Sequence, residues 1–116
     1  MKTLTIIGAG GHGCVLADIA QAIGYESITF LDAKFPELAQ SGVWPVTGKT
    51  ESFSGGDYAI GVGKNQTRMR ILDSILDDPV TLIHPSAIVS PYAEIGAGSV
   101  ICAGAIIGPF AKVKRG

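Results

Sequence analysis

SVICAG (99–104), AIIGPF (105–110) and AKVKRG (111–116) are three consecutive sixes, and their spacing decides the fold. A small residue opens each six, and an aliphatic stands third at Ile101, Ile107 and Val113. Read backwards, the same pattern gives Ile83, Val89 and Ile95. Thr81, Ala87, Ala93, Ser99, Ala105 and Ala111 stand two places before these aliphatics, and Gly96 and Gly108 follow two of them. An α-helix repeats every 3.6 residues and a strand every two, and neither demands a small residue at a linked position. A hexapeptide parallel β-helix does. The aliphatic plugs the interior of each flat face, and the small residue fits where the wall is narrow. Residues 81–116 hold six hexads, or two triangular coils of three.

Upstream, residues 1–80 follow another rule. Leu4 to Ile7 is a buried strand, and Gly8 to Gly13 is a turn. Leu16, Ile19, Ala20 and Ile23 then form one face of a helix that Gly24 stops. Ser27 to Leu31 is the next strand, ending at Asp32. An irregular stretch with Pro36, Gly42 and Pro45 follows, in which Trp44 and Val46 belong to a short strand. Tyr58 to Val62 reads as a strand and Asn65 as the N-cap of a second helix. That helix has a Met69, Leu72, Ile75 and Leu76 stripe and ends at Asp77-Asp78-Pro79. Val80 to Ile83 is extended again. Strand–helix–strand order with short turns implies a parallel sheet with right-handed crossovers. The expected architecture is α/β: a small Rossmann-like parallel sheet over 1–80, then the start of a left-handed β-helix over 81–116.

Gly8-Ala-Gly10-Gly11-His12-Gly13 fits G-x-G-x-x-G between a strand and a helix, and Asp32 ends the next strand. Such glycines let the backbone turn tightly and approach a ligand. A helix N-terminus offers unpaired N–H groups to a phosphate, and Asp32 can accept hydrogen bonds from a ribose or a base edge. A second crest, Gly61-Val-Gly63-Lys64-Asn65, opens the second helix, with Lys64 facing either phosphate or solvent. Two crests at the carboxyl ends of parallel strands line one crevice. NAD is the default ligand of this fingerprint. However, about 80 residues make roughly one mononucleotide-binding half, which suits one nucleotide carrying a sugar.

Hydrophobic residues are 47% of the 116 and charged residues 16%, which excludes a disordered chain. A net charge of −1 leaves no footprint for nucleic acid. Lys112, Lys114 and Arg115 read as a solvated tail. Cys14 and Cys102 have no metal or redox spacing and read as packed thiols. No signal peptide or membrane span is expected, so the expected compartment is the cytoplasm.

Together these stretches resemble bacterial sugar acetyltransferases, both sialic acid O-acetyltransferases and the N-acetyltransferases of UDP- or GDP-linked amino sugars. The likeness rests on Gly8–Gly13, Asp32, Gly61–Asn65 with Arg68, and His84-Pro-Ser-Ala87 leading into the hexads. It implies a nucleotide-sugar partner held by Gly10, Gly11, His12, Gly13, Asp32, Gly61, Gly63 and Asn65. It also implies acetyl-CoA between neighbouring β-helices of a homotrimer, and no metal. The family's catalytic histidine belongs on the β-helix, one or two hexads beyond Gly116. Only His12 and His84 occur here, so no catalytic residue is assigned in this span. His84 reads as structural. Two coils without a cap, and Lys114 where a glycine is expected, point to a C-terminally truncated chain. Two other readings remain open: a non-enzymatic nucleotide-sugar-binding or assembly remnant, and an NAD-binding protein.

Overall fold

The computed structural model describes residues 1–115; Gly116, which closes the sixth hexad, lies outside the described residues. Strands β1 (Thr3–Ile7) and β2 (Ser27–Leu31) run parallel, with Thr3 opposite Ser27 and Ile7 opposite Leu31. Between them lies helix α1 (Gly11–Ala22). Leu4 and Ile6 alternate onto the face that α1 covers, and Leu16, Ala17, Ile19 and Ala20 bury against them. Each fully buried Leu or Ile contributes about 2 kcal/mol. The helix stops at Gly24, whose φ of 109° only glycine adopts readily. Its last carbonyls are satisfied by Gly24 N–H to Gln21 and Tyr25 N–H to Ala20.

The irregular stretch is more ordered than its Pro and Gly content suggests. Gln40–Ser41 (β3) and Trp44–Gly48 (β4) form an antiparallel hairpin, and β4 pairs parallel with β2. Tyr58–Ile60 (β5) pairs parallel with the other side of β1, giving the order β3-β4-β2-β1-β5. The sheet is therefore mixed at one edge rather than wholly parallel. Pro45, which has no N–H to donate, is tolerated because it lies near that edge.

Helix α2 (Asn65–Ser74) corrects two expectations. Lys64, not Asn65, is its N-cap, and no side chain caps it. Asn65 Oδ1 instead accepts a hydrogen bond from Arg68 Nη2 at 3.2 Å. The stripe is Leu72 with Ile71 and Ile75, while Met69 and Leu76 are exposed. The helix ends at Ser74, so Ile75 is already extended and the helical phase breaks before Leu76.

From Leu82 on, six two-residue strands follow: β6 (Leu82–Ile83), β7 (Ile88–Val89), β8 (Glu94–Ile95), β9 (Val100–Ile101), β10 (Ile106–Ile107) and β11 (Lys112–Val113). They pair parallel as β6–β9, β7–β10 and β8–β11, always eighteen residues apart. Ile83 thus meets Ile101, Val89 meets Ile107 and Ile95 meets Val113. Ile101 is buried and the other five are half-buried. The buried Ser99 hydroxyl lies 2.6 Å from the Gly96 carbonyl and 2.9 Å from the Lys114 carbonyl, sharing its one proton between them, which places a small polar residue between successive walls.

The two regions are joined by packing. Leu82 is wholly buried in the core that holds Leu16 and Phe30, and Val80 N–H donates to the Tyr58 carbonyl at 2.8 Å. Arg115 is not a free tail, because its Nε donates to Asp78 Oδ1 at 2.8 Å and its Nη2 pairs with the same oxygen. Cys102, expected to pack in the wall, is exposed.

Tyr25 carries a pH signature. Its hydroxyl donates to Asp57 at 2.8 Å. Burial first, then the Asp57 hydrogen bond and charge, push its pKa up to about 12. A tyrosine raised in the folded state contributes stability in full below the unfolded value near 10, and loses it as pH rises through 12. Urea melts are expected to show stability falling between those pH values. Tyr25→Phe is expected to flatten that fall, and an unchanged slope would refute the assignment.

Candidate functional site

β1 hands over to α1 through Gly8, whose N–H donates to the Leu31 carbonyl at 2.8 Å and whose φ is 105°. Gly10 is the N-cap of α1 with no side-chain cap. The first N–H groups of α1 therefore have no intrahelical partner. Next to it, β5 hands over to α2 through Gly61 to Lys64, again with no side-chain cap. Two uncapped helix N-termini thus stand at the carboxyl ends of adjacent strands, each with the positive end of its helix dipole.

The glycines divide into two kinds. A Cβ on Gly13 would stand 2.3 Å from the Gly8 carbonyl oxygen, and one on Gly61 would stand 2.6 Å from the same oxygen and 2.7 Å from Gly13 Cα. These two are buried and bring the helix, strand and second crest together. Gly10, Gly11 and Gly63 are exposed, and a Cβ on any of them meets nothing within 4 Å. Packing does not require glycine at those three positions.

Below the crests lies a cavity of about 400 Å³. His12, Gly63 and Arg68 form its polar side. Ile60, Val62 and Leu72 line it from the sheet and α2, and Pro79, Gly98 and Val100 close it from the coil side. Gly98 permits that closure, since a Cβ there would stand 2.6 Å from Pro79 Cγ.

Of the expected site residues, His12 and Gly63 meet in this cavity, while Gly13 and Gly61 do not line it and serve packing. Asn65 is engaged with Arg68. Asp32 turns to its own backbone: Oδ2 accepts the Ala9 N–H and Oδ1 the Lys34 N–H, both at 2.9 Å. Arg68 was not among the expected site residues. The signal for it was its place one turn into the helix that the second crest opens. His84 does not line the cavity; its Nδ1 faces the Ser86 N–H at 3.0 Å and the Ser86 hydroxyl at 2.9 Å, and that hydroxyl also accepts the Gly104 N–H. Among the described residues no group of three or more His, Cys, Asp or Glu side chains is placed to hold a metal, and no helix is long and apolar enough to cross a membrane.

The fold and the site define a mixed α/β domain with two glycine crests at the carboxyl ends of neighbouring strands. Residues 3–75 match the PglD N-terminal domain family, and the chain belongs to it. The UDP-N-acetylbacillosamine N-acetyltransferase of Bacillus subtilis (strain 168) is 37% identical over 113 residues, covering 89% of this chain and 52% of that protein. The acetyltransferase domain of PglB from Neisseria gonorrhoeae, solved with acetyl coenzyme A, superposes with a TM-score of 0.88 at 39% identity, over 99% of this chain and 60% of that one. PerB from Caulobacter crescentus, solved with CoA and GDP-perosamine, gives a TM-score of 0.77 at 27% identity, over 99% of this chain and 58% of that one. The chain thus spans about half the length of that Bacillus relative.

Proposed function

We propose that this chain is the nucleotide-sugar-binding part of a sugar N-acetyltransferase. The observation that carries the reading is the exposed trio Gly10, Gly11 and Gly63, glycine without a packing need, beside a cavity that holds His12 and Arg68. In this reading the crest N–H groups and the Arg68 guanidinium hold the diphosphate. His12 reaches the phosphate or the sugar. Acetyl-CoA is the cosubstrate of the whole enzyme. The sugar amine attacks the thioester carbonyl, CoA leaves as its thiolate, and a base takes the amine proton. No residue of this span is assigned as that base.

Residues 81–115 are read as the start of a left-handed hexapeptide β-helix following a Rossmann-like domain over 1–80. The constant eighteen-residue offset of the three strand pairs supports this. Assembly as a homotrimer goes with it. Ile88 and Ile106 pair side by side and are 66% and 74% exposed, and Tyr92 stacks on Phe110 at 5.9 Å on the same coils. Such an apolar face suits further copies of the chain. Each Asp32 carboxylate oxygen accepts one backbone amide and keeps a lone pair for a ribose hydroxyl, so Asp32 serves a nucleotide sugar and NAD alike.

Isothermal calorimetry with UDP-sugars, GDP-sugars, NAD and acetyl-CoA in turn tests the proposal. Binding of a nucleotide sugar is the expected result. Binding of NAD alone would overturn it.

A further inference from the structure

Ala9 lies between the first two glycines of the crest, and both of its backbone polar groups are held by side chains from distant parts of the chain. Its N–H donates to Asp32 Oδ2 at 2.9 Å, from the end of β2. Its carbonyl accepts the Ser41 hydroxyl at 2.7 Å, from the β3–β4 hairpin. Ser41 is buried, at 9% exposure. Its single O–H is committed to Ala9, so in the 3.1 Å contact with Cys14 the thiol is the donor and Ser41 Oγ the acceptor. Cys14 lies in the first turn of α1, and its own N–H closes the first intrahelical bond to the Gly10 carbonyl at 3.2 Å. Ser41 therefore grips the crest at two points, at Ala9 near its start and at Cys14 just after its end. Gly10, Gly11, His12 and Gly13 span the interval between the two grips.

We propose that Ser41 is a positioning residue: together with Asp32 it fixes the Ala9 backbone and so sets the direction of the α1 N-terminal N–H groups. Gly10 and Gly11 are exposed and have no side chains of their own to limit their conformation. A loop of this kind keeps a ligand-ready geometry only if something outside it holds it. Buried hydrogen bonds to backbone do so without occupying the ligand's space. The inference also gives the β3–β4 hairpin a role in the site, although it lies across the sheet from the second crest. It rests on the nucleotide-sugar reading above for the identity of the ligand, but not for the grip itself.

The test is Ser41→Ala in the full chain, read in two ways. In amide hydrogen exchange by NMR, the Ala9 and Cys14 amides are expected to exchange at least tenfold faster than in the wild type. The Tyr25 amide, bonded to Ala20 at the far end of α1, is expected to keep its rate. A merely structural loss would speed all three together. In calorimetry, nucleotide-sugar affinity is expected to fall about tenfold. Unchanged exchange at Ala9 and Cys14, uniform acceleration of all three amides, or unchanged affinity in the variant would each overturn the positioning role. Failure of the wild-type protein to bind any nucleotide sugar would overturn the proposed function instead, and the exchange rates would still decide the grip.

Discussion

Gly13→Ala is expected to destabilise the protein by about 3 kcal/mol, the upper range for forcing atoms into a packed interior, and to lower Tm by about 10 °C. The obstruction is backbone. A Cβ at this position would stand 2.3 Å from the Gly8 carbonyl oxygen and 2.9 Å from Phe30 Cε1. Phe30 has no room to retreat, being fully buried under α1. The carbonyl of Gly8 cannot rotate freely either, because the Gly8 N–H is bonded to Leu31 and the next residue's N–H to Asp32. Relief requires α1 to lift away from β1, which would uncover Leu16 and Ala20. Thermal melts of the variant check this. A Tm within a degree or two of wild type would mean that the helix shifts at little cost, and Gly13 would lose its packing role.

How much of this was legible before the structure differs by element. The short strands at Ile83, Val89, Ile95, Ile101, Ile107 and Val113 were legible, because period six leaves a signature in two linked positions that neither helix nor strand imitates. β1, α1 and β2 were legible for a similar reason: strong local periodicity bounded by glycine. β3 and the antiparallel hairpin were not. Trp44 and Val46 were read as part of a short strand, but its pairing with β3 and β2 is decided by tertiary contact across the sheet. The α2 stripe failed at Leu76 because the helix ends at Ser74 and the face of every residue after it shifts, whereas Met69 lies inside the helix at the rim of the buried stripe, 39% exposed. At the site, the fingerprint located the crest but could not sort its members. The same letter stands for Gly13, which packs, and for Gly11, which faces open space, and only the surrounding atoms separate them. Asp32 was correctly placed beside the loop, yet its spacing cannot say whether the carboxylate turns outward to a ribose or inward to Ala9.

Gly11→Ala is expected to give the opposite pairing of effects: a protein as stable as wild type or more so, with nucleotide-sugar affinity at least about tenfold weaker, roughly 1.4 kcal/mol of binding. Gly11 is the first residue of α1, and its φ is not among the positive ones. An alanine fits that backbone and lowers the entropy of the unfolded chain, which stabilises by about 0.5 to 1 kcal/mol. A Cβ there meets no protein atom within 4 Å, so the fold has no objection to it. On the proposed function, a ligand seated on the α1 N-terminus would meet the added methyl, which would hold the diphosphate away from the N–H groups that attract it. Paired melts and calorimetry on the one variant separate the two meanings of glycine in a single crest. Loss of stability would show that Gly11 packs like Gly13. Retained affinity would place the ligand elsewhere than on the α1 N-terminus, and the nucleotide-sugar site would then have to be sought around the second crest and Arg68 alone.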